Sequence, residues 1–534
     1  MIVLSGKERG KTVKKKITVI DAKGERVERV VTYIPLRYIL AILLSILEVA
    51  AVISIVVLLC IHIPYFYVAA ALTQLLCLLQ ILSSDDNADY KLPWLLFVLI
   101  LPIVGFMLYF MFYSRKLRPR FLRRLSELKD KSYRKQDEAA LASLADENAA
   151  AHSQAMLLCK TAETHLFRDT KVAYYPLGRD MLEPLLRDLK KAERFIFMEY
   201  FIIEEGVFWN AILDVLKEKA RAGVEVRVLY DDIGCMRTLP GNYDKILSRF
   251  GIDAAPFSRL RGQADSEFNN RNHRKITVID GRVGYTGGIN LADEYIGETI
   301  RFGHWKDTAL RLEGDAVAEL TKLFLVDYGI SVKQAPSAKH DYFPLCACEG
   351  GGGYVLPFGD GPRPIYPHAV AKDLLLSMLA GAKKSVHITT PYLIIDNELC
   401  HAIENAALRG VEVKLILPHI PDKRLIFAMS RTFYPRLLRA GVEVYEYTPG
   451  FIHAKNYIVD GEIAMTGTIN LDYRSLVHHF ENGVWMYRTS VIADMEADFA
   501  GTVAESHRIL REDLKPRLSE RITVSLVKVF SPLL

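Results

Sequence analysis

The sequence has little that would fasten it chemically. Seven cysteines (Cys60, Cys77, Cys159, Cys235, Cys346, Cys348 and Cys400) are scattered through 534 residues. The one close pair, Cys346-Ala-Cys348, lacks a zinc-ligand spacing, and no His or Cys cluster follows it. An odd, dispersed set excludes a disulfide framework and fits a reducing compartment. Charge of one sign is also scarce: the net charge is only +5, so the chain as a whole does not read as a nucleic-acid binder. No Gly-Lys-Ser/Thr ending follows the run Glu349 to Gly353, so this run reads as linker rather than phosphate loop. No small-residue cleavage site follows the basic leader, which argues against a removed signal peptide.

Apolar sequence, by contrast, is plentiful. Half the residues are hydrophobic and the mean hydropathy is +0.12. Residues 38–61 are apolar apart from Glu48 and two serines, long enough to cross a bilayer. Residues 93–113 form a second such run, with Trp94, Tyr109 and Tyr113 near its ends. A shorter run, 65–82, is a third span or a re-entrant piece. Residues 1–37 carry ten basic and four acidic side chains, and residues 115–124 carry six basic and none acidic. The intervening loop 83–92 is net acidic. Basic flanks on both sides place them in the cytoplasm with two crossings; three crossings would leave one outside. Everything after the second flank is then expected to be cytoplasmic. As a helix, residues 115–135 are basic enough to lie on an anionic leaflet, or they form a solvated linker.

From about residue 165 strands and helices alternate, and the pattern occurs twice. Residues 194–203, 208–222 and 224–230 read as strand, helix and strand; 384–395, 398–409 and 411–417 repeat the order. In each copy a helix ends at glycine and a Val-Glu-Val strand follows directly. The expectation is an α/β fold with two β-α-β domains packed as a pseudo-dimer, each around a mostly parallel sheet, preceded by an α-helical transmembrane module. The expected divisions are a basic segment 1–37, a transmembrane module 38–113, a basic linker helix 114–160, a first domain 161–335, a linker 336–362 and a second domain 363–534.

The strongest signal lies at matched positions of the two copies. His273-Arg-Lys275 leads to Asp280 and then Gly287-Gly288-Ile-Asn290. His453-Ala-Lys455 leads to Asp460 and then Gly467-Thr468-Ile-Asn470. Every position is offset by 180. On an extended strand alternate residues share a face, so each His and its Lys point the same way. Two such strands at a pseudo-twofold bring together two imidazoles and two ammonium groups. The lysines attract a phosphate and hold its charge in the transition state; Asn290 and Asn470 are expected to add neutral donors. One histidine attacks phosphorus while the other protonates the leaving alkoxide. Each histidine needs an orienting acid: Asp307 is expected to serve His273, and Glu481 to serve His453. Asp280 and Asp460, just before a glycine at a strand end, are expected to tie a turn or a lysine rather than carry protons.

These paired motifs resemble the phospholipase D superfamily and, within it, the bacterial cardiolipin synthases. The likeness is carried further by Tyr285 to Gly297 with Trp305-Lys-Asp307, by Asn470-Leu-Asp-Tyr-Arg-Ser475 with Phe480-Glu481, and by the N-terminal apolar module ending at Tyr109. It spans residues 36–534. The resemblance implies condensation of two phosphatidylglycerols to cardiolipin and glycerol through a phosphatidyl-histidine, with no metal or other cofactor, at a cell membrane with anionic lipid. It favours His273 as nucleophile and His453 as acid/base. Two positions depart from the family pattern, neither in the core motif: Ala309 follows Asp307-Thr308 where histidine is expected, and His479 stands where asparagine is expected before Phe480-Glu481. A hydrolytic phospholipase D, another phosphatidyltransferase or a nuclease built on the same site stays open at this stage.

Overall fold

The computed structural model describes residues 14–20, 26–32, 36–62, 65–84, 87–110, 136–259, 270–332, 340–346, 351–363, 365–514 and 527–528. All of the basic run 115–135 and most of the tail after 514 lie outside them.

The N-terminal part begins with an antiparallel strand pair, Lys14–Ile20 and Arg26–Thr32. Two helices follow, Leu36–His62 and Phe66–Ser83. Their large apolar side chains are widely exposed, among them Leu43, Leu47, Ile55, Leu58, Leu72 and Leu76. Several side chains of the first helix are outside the described set. Counted over the described residues, no helix is long and apolar enough to cross a membrane.

The run 93–113, expected as one straight span, departs from that reading. It breaks at Leu101, where Pro102 starts a new helix, giving Ala88–Ile100 and Pro102–Leu108. The two helices fold back on each other, and the Trp94 and Tyr109 rings meet edge to face at 5.7 Å. Fifteen residues of continuous helix would separate them by roughly 22 Å. Gly105 permits the fold-back: a Cβ there would lie 2.3 Å from the Phe97 carbonyl oxygen. This module also touches the C-terminal half, where Asn87 donates to Asp396 at 3.0 Å.

Two sheets form the rest. In the first, the strand order is Lys171–Tyr175, Ala309–Glu313, Val283–Gly287, Lys275–Ile279, Phe195–Tyr200, Glu225–Asp231, Asp253–Phe257. In the second it is Ser506–Arg508, Glu443–Tyr447, Glu412–Pro418, Ser385–Thr389, Asn456–Val459, Ile463–Gly467, Glu481–Tyr487, Tyr354–Asp360, Phe167–Arg168. The expected β-α-β units are present: helix Val207–Arg221 and helix Asn397–Leu408 each join two parallel strands. Both end in the same way. Gly223 and Gly410 adopt φ of +89°, and the next residue's N–H reaches back to Lys219 and Ala406 respectively.

The sheets are not mostly parallel. Only the pairings among three strands of each are parallel, and the rest are antiparallel. The cause is the motif itself. Asp280-Gly281 and Asp460-Gly461 all have positive φ, the mirror-image turn that suits a hairpin. Each motif strand therefore returns at once, antiparallel, as Val283–Gly287 or Ile463–Gly467.

The expected linker 336–362 is also revised. Its strand Tyr354–Asp360 pairs along its whole length with Glu481–Tyr487, inside the second sheet, and pairs at its start with Phe167–Arg168. Helices Glu138–Glu147 and Ala149–Thr161, N-capped by Asp137 and Asn148, cover the same region, and Gln154 accepts from the Trp485 indole at 3.0 Å.

Candidate active site

The two motif strands are the central strands of their sheets, and the chain just before each one pairs with the opposite half. His304–Lys306 runs parallel to Gly450–Ile452. Asn272 bridges Phe480 in parallel. As a result the His273 N–H donates to the Phe480 carbonyl at 2.9 Å, and the His453 N–H to the Lys306 carbonyl at 2.7 Å. The residue after each of these carbonyls is an acid, so each histidine meets the acid of the other half.

That register corrects the expected pairing. His273 Nδ1 lies 3.0 Å from both oxygens of Glu481. His453 Nδ1 lies 2.5 Å from Asp307. Asp307 does not serve His273, nor Glu481 His453. Each acid is held in turn by its own domain. Glu481 accepts from the Ser475 hydroxyl at 2.7 Å and from the Thr468 hydroxyl. Asp307 accepts from the Thr308 N–H at 2.8 Å. Gly288, the counterpart of Thr468, leaves the space that Asp307 fills: a Cβ there would lie 2.0 Å from the carboxylate.

Lys275 and Lys455 share the face of their histidines, as alternation along a strand requires, and each donates to the carbonyl of its own motif histidine. All four side chains are buried. Burial and the neighbouring ammonium charges act on them strongly. Desolvation lowers Lys275 to about 7 and Lys455 to about 8, with the nearby acids opposing it. Desolvation also lowers His273 to about 3. It drives His453 well below its ordinary value, helped by both lysines. Burial lifts Asp307 to about 6, against the pull of Lys455. The histidines are therefore neutral in the protein alone, the state in which an imidazole is a nucleophile.

Asp280 and Asp460 sit at the far end of the motif strands. Asp280 accepts from the N–H groups of Glu193, Arg194 and Phe195 at 2.8 to 2.9 Å. Asp460 does the same for Lys383, Lys384 and Ser385 at 2.6 to 3.2 Å. Each carboxylate thus fixes the entry of the neighbouring strand. Asn290 is engaged within its own domain, accepting from the Ile202 N–H at 3.1 Å and donating to the Tyr295 hydroxyl at 2.7 Å. The Asn470 Oδ1 is buried without a partner.

Two features of the site were not visible in sequence, and a third was visible only as a departure from the family pattern. Arg274, between the motif His and Lys, crosses the interface to the Glu481 carbonyl at 3.0 Å and pairs with Asp327 at 2.7 Å. Asn272 is held by Asp327 at 3.0 Å and by Glu199. Buried arginine between two acid-bearing elements is expensive unless fully bonded, as it is here. The third feature is His479, whose ring lies 5.6 Å from that of His273.

Fold and site together define a phosphodiester-transfer enzyme of the phospholipase D type, with one composite site from two half-sites. Residues 185–304 and 375–503 match the family described as "Cardiolipin synthase, PLD-like domain", and residues 74–112 match "Phospholipase_D-nuclease N-terminal". An uncharacterized protein of Streptococcus mutans is 41% identical over 85% of this chain and 99% of its own length. Cardiolipin synthase 2 of Bacillus cereus is 36% identical over 85% of this chain and 88% of its own. Cardiolipin synthase of Alkalihalophilus pseudofirmus is 36% identical over 85% and 91%. The crystal structure of phosphatidylserine synthase from Haemophilus influenzae shares the fold, with a TM-score of 0.55 at 13% identity, covering 72% of this chain and all of that one. The chain belongs to the bacterial cardiolipin synthases of the phospholipase D superfamily and is a phosphatidyltransferase.

Proposed function

We propose that this chain condenses two phosphatidylglycerols into cardiolipin and glycerol through a phosphatidyl group carried on His273. The observation that supports this most is the crossed arrangement of two buried histidines, each on a carboxylate of the other half, with two buried lysines beside them. Nδ1–H of His273 donates to Glu481, which leaves Nε2 to attack phosphorus. The P–O bond to the glycerol headgroup breaks, and His453 gives its proton to the departing alkoxide. The second phosphatidylglycerol then presents a headgroup hydroxyl. His453 takes its proton, the oxygen attacks phosphorus, and the P–N bond to His273 breaks. One phosphodiester replaces another, so no activated nucleotide enters the balance.

The lysines attract the phosphodiester and stabilise the charge of its transition state. Burial makes that attraction strong. An arriving anion also offsets the lysine repulsion that adds to burial in keeping His453 neutral, allowing it to hold the proton it must donate. Asp307, on His453 Nδ1, holds the ring and steadies the imidazolium. In this reading Asp280 and Asp460 position strands and Asn470 faces the phosphate. The domain divisions keep their order, with the second domain taking in Tyr354–Asp360.

The exposed apolar faces of Leu36–His62 and Phe66–Ser83 support a membrane anchor at the cell membrane. The basic flanks of the sequence support a cytoplasmic position for the catalytic halves, against anionic lipid. The test is direct: full-length protein with phosphatidylglycerol vesicles and a chelator yields cardiolipin and glycerol in equal amounts. Release of phosphatidic acid instead, or no lipid product from folded protein, overturns the reading.

A further inference from the structure

The proposed reaction leaves His479 without a task, yet the residue is built into the His273 half of the site. It lies two positions before Glu481 and is only 7% exposed. Neither of its ring nitrogens has a hydrogen-bond partner, an uncommon state for a buried polar side chain. Its Nδ1 points at the site, 3.7 Å from Glu481 Oε1. The ligating atoms of His273, His479 and Glu481 all lie within 4.8 Å of one another. Two imidazoles and a carboxylate form a zinc-type donor set that leaves a fourth position open. The hydroxyls of Ser475 and Thr468 bond Glu481 from behind, the outer support that ligating carboxylates receive. The other half lacks this set: the residue two before Asp307 is Trp305, which has no lone pair to give.

We propose that His273, His479 and Glu481 form an inhibitory site for a borderline transition-metal ion of the Zn2+ kind. A neutral imidazole has one in-plane lone pair. Attack on phosphorus needs it at Nε2, with the proton at Nδ1 facing Glu481. A metal bound at Nδ1 takes that lone pair, and the proton moves to Nε2. Nothing remains to attack phosphorus, and no proton is lost overall. Metal binding and phosphatidyl transfer therefore exclude each other. The inhibitory consequence rests on the proposed function; the binding itself does not.

The test uses full-length protein purified with a chelator that is then removed. Zn2+ is titrated against it by calorimetry and by competition with a chromophoric chelator, and cardiolipin synthesis is followed over the same range. The wild type should bind one Zn2+, lose activity as it binds, and recover with EDTA. His479→Asn, each reading taken relative to its own metal-free activity, should shift both binding and inhibition at least tenfold to higher Zn2+. His453→Ala should still bind the ion. If His479→Asn does not fold, as judged by thermal unfolding, His479→Phe keeps the ring volume without nitrogen and serves in its place. Absence of stoichiometric binding in the wild type, or equal inhibition of the His479 variant, overturns the proposal. Zn2+ binding that depends on His479 in a protein that makes no cardiolipin keeps this site and removes the proposed function instead.

Discussion

His273 reaches across the interface between the two halves to Glu481, with Nδ1 3.0 Å from both carboxylate oxygens. Neither half can therefore assemble a working histidine alone. The pairing predicts an energetic coupling. Combining His273→Ala with Glu481→Ala should show about 0.5–3 kcal/mol of non-additivity in unfolding stability. His273→Ala with Asp307→Ala should show a clearly smaller coupling, since each side chain is hydrogen-bonded to a different partner. Coupling in the second cycle and none in the first would contradict the crossed arrangement.

The division of labour between the histidines predicts a trap. His453→Asn should still let His273 attack a lipid with a good leaving group, and should accumulate a covalent phosphatidyl enzyme. His273→Asn should form none. Turnover of natural substrate should drop by about 10²–10⁴-fold or more in each case. Mass spectrometry of the acid-quenched protein reads the adduct; finding it on His453 reverses the assignment.

The pH profile follows from three buried groups. Asp307 is lifted to about 6, so below that pH it is neutral and no longer steadies the His453 imidazolium. Lys275 and Lys455 are lowered to about 7 and about 8, so above those values the phosphate loses its positive partners. In kcat/KM, which reports the free enzyme, activity should rise through about pH 6 and fall through pH 7 to 8. A profile still rising at pH 9 is incompatible with lysines that act as charges.

Asp280 binds three backbone N–H groups at the start of a neighbouring strand. Asp280→Ala should cost on the order of 2–4 kcal/mol of stability, because charge-assisted bonds are lost and partly buried donors are left open. Activity per folded molecule should fall far less than in His273→Asn. Thermal unfolding alongside specific activity separates the two effects.

The N-terminal module gives a fractionation prediction. Alkaline carbonate should leave the full-length protein in the membrane pellet, since exposed Leu43, Leu47, Ile55 and Leu58 need apolar surroundings. Release into the supernatant would argue against an inserted anchor.

Much of this was legible along the chain. The His-x-Lys spacing is a strand's alternation written in residues, and its recurrence at an offset of 180 announces two equivalent halves. Glycines 223 and 410 mark helix ends through their positive φ, a local property. The two Asp-Gly pairs were just as local. They signal hairpins, whereas the expectation of mostly parallel sheets came from the β-α-β alternation alone. Pro102 also carried its own break in the apolar run.

The partner of each histidine was not legible. Asp307 and Glu481 were recognisable as orienting acids from their residue type and place in the repeat. Sequence proximity then suggested the acid of the same half, whereas the parallel pairing of Asn272 with Phe480 and of Lys306 with Ile452 hands each histidine to the other. The strand Tyr354–Asp360 was missed for the same kind of reason, since its glycine-rich approach hides a segment whose place depends on Glu481–Tyr487. The amino-acid sequence by itself determined which groups are candidates for the chemistry and that there are two sets of them. Only the tertiary structure decided how they are shared, because inter-strand register between distant segments is set by packing across an interface.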